Sequence, residues 1–149
     1  MDTQEIEDIQ ALINIFFPFG EELLMKFGEF FPYAGATTVE GEFVTVGNPD
    51  QKGMSDSKKV IEQLKYDLHT GSSRFLVAAI FYDVRTKDST TGQTSDAIAV
   101  HVEHKDGNTA YEFFYPYKLE GKDNFLVEDT YGNTIPKEIF QTKSGPPLQ

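Results

Sequence analysis

Apolar residues recur at steps of three and four near the start of the chain. Ile6, Ile9, Leu12, Ile13 and Phe16 form one stripe, and Leu23, Leu24, Phe27 and Phe30 continue it. That spacing predicts an amphipathic helix. Glu5, Glu7 and Asp8 sit where a helix dipole favours negative charge. "FFPFG" interrupts the stripe: Pro18 lacks a backbone donor and Gly20 adds freedom. The expectation is one helix kinked at Pro18, or two helices over about 4–16 and 20–31, ended by Pro32.

Downstream the period changes. Ala34–Val39 and Glu42–Val46 are short β-prone runs around a turn at Glu40 and Gly41. "GNPDQKGMSDS" reads as a loop. Val60, Ile61, Leu64 and Leu68 then mark a second helix from about Asp56 to His69, capped by Asp56 or Ser55, with Gly71 as a left-handed stop. "SRFLVAAIFYDVRT" is apolar on both alternating faces, which predicts a central strand covered on both sides. "KDSTTGQTS" is a polar loop. "DAIAVHVEH" and "TAYEFFYPY" predict two more strands, "NFLVEDTYG" an edge strand and "TIPKEIFQ" a short turn of helix. The order α-β-β-α-β-β-β predicts an α+β domain, with an antiparallel sheet of about five strands and two main helices. Residues 1–141 form one domain and 142–149 a loose tail.

This order, with "YAGATTVEGEFVTVG" as the first hairpin, resembles the roadblock and longin-like (profilin-like) domains. The resemblance covers most of the chain and implies a scaffold or regulatory dimer rather than an enzyme. "FGEFFPYAGA" is similar to segments of small bacterial proteins.

Charge narrows the range of partners. The net charge is −11, and residues 1–55 hold ten acids against Lys26 and Lys52. Such a field repels phosphate backbones and anionic lipid, so neither nucleic acid nor a membrane surface is expected as a partner, while a basic protein is allowed. The chain has no cysteine, which removes thiol chemistry and disulfides. The acidic start and the lack of a long apolar run point to a cytoplasmic protein. No motif asks for a cofactor.

"HVEHKDGNTAYEF" carries the sharpest chemistry. A two-residue turn at Asp106 and Gly107 sets His101 opposite Glu112, with Glu103 two residues along on the same face. His104 points to the other side. His101, Glu103 and Glu112 are therefore candidate ligands for a divalent metal, or an acid–base site. The competing reading is a solvated sheet face with ordinary cross-strand pairing. Three functions follow as expectations: a non-catalytic protein-interaction or regulatory module, a metal- or ligand-binding protein or enzyme centred on those residues, and a homodimer, either closing over the face that carries Ala99, Ala110 and Phe114 or pairing strands at an edge.

Overall fold

A proline in mid-helix removes one donor and presses on the carbonyl four residues back. The computed structural model, which describes residues 2–47, 56–87, 91–92, 94–119, 125–127 and 129–140, nevertheless runs one helix, α1, through Pro18 from Thr3 to Phe27. A side chain mends the ladder just beyond the proline. The Tyr33 hydroxyl accepts from the Gly20 N–H at 2.9 Å and donates to the Phe16 carbonyl at 2.7 Å. It stands where the direct bond from Gly20 to Phe16 would otherwise form. Of the two arrangements expected, the single helix is the one that forms. The stop at Pro32 is corrected: α1 ends at Gly28, whose φ of 77° lets its N–H reach the Leu24 carbonyl at 2.8 Å.

The strands are β1 (Tyr33–Thr38), β2 (Phe43–Val46), β3 (Phe75–Lys87), β4 (Thr94–His104), β5 (Ala110–Leu119), β6 (Phe125–Val127) and β7 (Tyr131–Ile135). The second helix, α2, spans Ser57–Thr70 and is capped by the Asp56 carboxylate. All pairings are antiparallel, in the order β2-β1-β3-β4-β5-β6, with β7 also paired to β5. The fold is α+β, with seven strands among the described residues rather than about five. The difference lies at one edge, where β6 and β7 pair with different halves of β5.

α1 covers one face of the sheet and α2 the other. Ile9, Leu12, Ile13, Phe16 and Leu24 of α1 pack on Val77, Ala79, Phe81, Ile98, Val100 and Val102. Val60, Leu64 and Leu68 of α2 pack on Ala34, Ala36, Ala78 and Ile80, together with Ile139 and Phe140 from beyond β7. β3 is the central strand that its two apolar faces predict. Three local expectations change. Gly71 has a φ of −95° and is no left-handed stop. "TIPKEIFQ" adds no helix among its described residues: after β7, residues 136–140 form an irregular strap across the α2 face. The loop over 48–55, most of the polar loop after β3, and the tail lie outside the described residues.

Candidate functional site

The hairpin register is the one that the apolar pattern predicts. His101 lies opposite Glu112, Val102 opposite Tyr111 and Glu103 opposite Ala110. The turn differs. Gly107 donates to the His104 carbonyl at 3.1 Å, so Lys105 and Asp106 occupy its centre, and Gly107 does not adopt a positive φ. Its missing Cβ serves packing instead: a methyl there would meet the Glu5 carboxylate at 2.8 Å.

The face expected to be solvated is buried at two of its three candidate residues. His101 is 2% exposed and Glu103 0%. Glu103 stands between two alanines, Ala78 on β3 and Ala110 on β5, which leave room above it. The strap enters that room. Its backbone N–H groups at Glu138, Ile139 and Phe140 all donate to the Glu103 carboxylate at 2.8–3.1 Å. His101 Nε2 donates to the same carboxylate at 2.6 Å. These donors fill the lone pairs that a cation would need. Glu112 accepts from the Tyr82 hydroxyl. Among the described residues no three His, Asp or Glu side chains gather to hold a metal ion.

The other two histidines are ties as well. His69 Nδ1 donates to the Ile139 carbonyl at 2.8 Å, and Lys65 pairs with Glu138 at 3.1 Å, so α2 grips the strap from the side. Lys137 reaches from the strap to the carbonyls of His104 and Gly107 in the hairpin turn, at 3.1 and 2.9 Å. On the far face His104 Nδ1 accepts from the Asp106 N–H, which leaves Nε2 to carry the hydrogen that it donates to Asp8 at 2.9 Å. Two acids that the sequence assigned to the helix dipole, Glu5 and Asp8, therefore dock α1 on the hairpin. The strap and β7 also cover much of the face reserved for a second copy: Ala99 and Ala110 are buried, and Phe114 stacks on Tyr131 at 5.1 Å.

The Glu103 contacts have a pH signature. Burial pushes its carboxyl up, but the His101 bond and the strap N–H groups outweigh that and hold it below its ordinary value. A carboxyl more acidic in the folded than in the unfolded chain contributes stability above its unfolded pKa of about 4.3, and loses it as pH falls through the folded value. Burial raises Asp83 and Glu21, which act in the opposite sense. Comparing wild type with Glu103→Gln in urea at pH 7, 5, 4 and 3 isolates the contribution. The stability gap between the two is expected to narrow below about pH 4.3. A gap that stays constant to pH 3 would refute this assignment.

A second feature lies at the opposite end of the molecule. The apolar content of α1 exceeds one stripe between Ile15 and Phe19, and the surplus faces outward. Phe19 is 50% exposed, Phe31 53% and Phe27 70%. With Leu23, Phe30, Pro32 and Tyr33, these three line a hollow of about 490 Å³. A neighbouring hollow of about 390 Å³ shares Phe19, Pro32 and Tyr33 and extends to Ile15, Thr45, Val46 and Gly47 at the β2 edge. Tyr33 forms the floor of both; it stacks on Phe81 at 4.9 Å and meets Phe19 edge-on at 5.1 Å. The surroundings are acidic. Glu21 and Glu22 lie on the same half of α1, and the one base there, Lys26, is bound to Glu22 at 2.8 Å. Glu29 lies in the wall itself.

The sequence listed Phe27 and Phe30 as core and did not single out Phe19 or Phe31. The available signal was that Ile15, Phe16, Phe17 and Phe19 cannot all face inward on one helix. Among the described residues, no helix is long and apolar enough to cross a membrane. No protein-family model, no curated protein and no solved structure matches this chain.

Proposed function

We propose that the protein is a non-catalytic interaction module whose acid-rimmed apolar groove, between α1 and the β1–β2 edge, binds a basic segment of another protein bearing apolar anchors. One observation carries this reading. Phe19, Phe27 and Phe31 are large aromatics, each at least half exposed, and they adjoin one another around a single hollow. Contiguous exposed apolar surface of this kind marks interaction sites in soluble proteins. Aromatic side chains are also the usual binding anchors. Charge supports a basic partner: Glu29 lines the hollow, Glu21 and Glu22 lie on the adjoining turns of α1, Lys26 is already paired, and the net charge of −11 outweighs Lys58 and Lys59, which follow the lining residue Ser57. Charge at a rim steers association and weakens with salt.

Panning a random displayed-peptide library on the protein tests this. Enriched sequences are expected to combine Lys or Arg with aromatic or aliphatic residues. Their binding should fall with added salt, and fall at least about tenfold in a Phe27→Asp, Phe31→Asp double variant, the loss of one modest anchor. Enrichment of acidic peptides, affinity indifferent to the double variant, or binding of neutral phospholipid vesicles in place of peptide would overturn the proposal.

A further inference from the structure

The groove ends at a sheet edge whose outward backbone groups have no partner among the described residues. Thr38 donates to the Glu42 carbonyl at 2.7 Å, and the β1–β2 register pairs Thr37 with Phe43, Ala36 with Val44, Gly35 with Thr45 and Ala34 with Val46. Hydrogen-bonded and non-hydrogen-bonded pairs alternate along an antiparallel ladder. Glu42, Val44 and Val46 therefore turn their backbone groups toward β1. Phe43 and Thr45 turn theirs outward, which leaves two N–H and two C=O groups at the edge among the described residues. β2 is short, at four residues, but has neither lysine nor proline nor a bulge against β1, three of the devices that blunt an edge. Thr45 also lines the smaller hollow with Ile15 and Phe19.

We infer that the partner segment binds in extended form, adding as a strand to the outer edge of β2, with alternate side chains entering the hollow beside Thr45, Ile15 and Phe19. This rests on the groove reading above and specifies its geometry. Backbone bonds to Phe43 and Thr45 supply affinity, and side-chain alternation supplies selectivity. Charge chooses the occupant. Glu40 and Glu42 stand at the turn end of the edge, and the Asp67 carboxylate approaches Gly47 at the other end. Arg74 is held over the Phe75 ring at 5.4 Å. A second copy of this chain would bring a further net charge of −11 to an edge already flanked by Glu40, Glu42 and Asp67, whereas a lysine-bearing strand meets those acids favourably.

The test uses a capped heptapeptide alternating lysine with valine, its glutamate–valine counterpart, and two isomers of the lysine peptide, N-methylated on the amides of one edge or of the other. The lysine peptide is expected to shift the amide resonances of Phe43 and Thr45 and slow their hydrogen exchange. The glutamate peptide should do neither. The two isomers N-methylated on opposite edges should differ: one binds normally and the other at least about tenfold more weakly, since two backbone bonds are lost. Thr45→Pro removes an outward N–H while sparing the ladder to β1, and should weaken the peptide similarly. No binding of the lysine peptide, or equal affinity for both methylated isomers, overturns strand addition even where Thr45→Pro does not fold. If library-selected peptides still depend on Phe27 and Phe31, the groove reading survives that failure. Dimerisation of the protein that Thr45→Pro abolishes would instead identify a second copy as the occupant.

Discussion

Replacing Glu103 by alanine is expected to destabilise the protein by about 3–5 kcal/mol, a large fraction of the whole for a domain of this size. The cost comes from what is left behind. Three strap N–H groups and the His101 N–H converge on this carboxylate in a site closed to water. Without it these donors have no acceptor, and each unpaired buried donor costs about 1–3 kcal/mol. Glutamine is expected to be intermediate: it keeps one acceptor oxygen but aims an NH₂ group at donors. Since Ile139 and Phe140 are buried only while the strap is seated, the damage should begin there. Amide exchange at those two residues should accelerate before the urea midpoint moves fully. An unchanged midpoint and unchanged exchange in Glu103→Ala would refute the role assigned to this carboxylate.

The same residue shows where sequence reasoning stops. The register that places His101 opposite Glu112 was legible, because one slip would have put Val100 across from Glu112 and mixed polar with apolar on both faces. The α+β class and the central position of β3 were legible for the same reason: alternation and helical spacing are local. The strap was not legible. Its five residues have no period, and the N–H groups of the last three are paired by an acid more than thirty positions away in the chain. A glutamate flanked by valine and histidine on a strand looks like a wet position, and only the incoming backbone makes it a buried one. Pro18 is a similar case. The sequence correctly marks a damaged hydrogen-bond ladder, but the group that mends it, Tyr33, belongs to the next element. The groove was half legible. Too many apolar residues around α1 signal an unfilled face, while the identity of the exposed ones depends on how the helix rolls on the sheet.

That roll is set by Gly35, and Gly35→Ala is expected to cost about 1–3 kcal/mol despite replacing a glycine inside a strand. In an unobstructed strand the change would be favourable by about 0.5–1 kcal/mol, because alanine loses less freedom on folding. Here the new methyl would lie 2.5–2.7 Å from three atoms of the Phe16 ring. Phe16 is buried between α1 and the sheet and tilts against Phe81 at 6.4 Å, so the ring cannot swing into solvent without opening the core. Either the ring leaves its rotamer or α1 lifts from β1. Phe16→Leu removes the offending atoms and costs stability on its own. The double variant should therefore be more stable than the sum of the single effects by about 1 kcal/mol or more, the coupling expected of residues in direct contact. The change should also reach the groove, because Phe16 and its neighbours Ile15 and Phe19 line the smaller hollow together with Thr45. Lifting α1 would separate the apolar wall from the β2 edge, so Gly35→Ala should bind the lysine–valine peptide more weakly than wild type, and Phe16→Leu should restore part of that loss. A Gly35→Ala variant as stable as wild type, or single effects that simply add, would show that the helix is not seated by this contact.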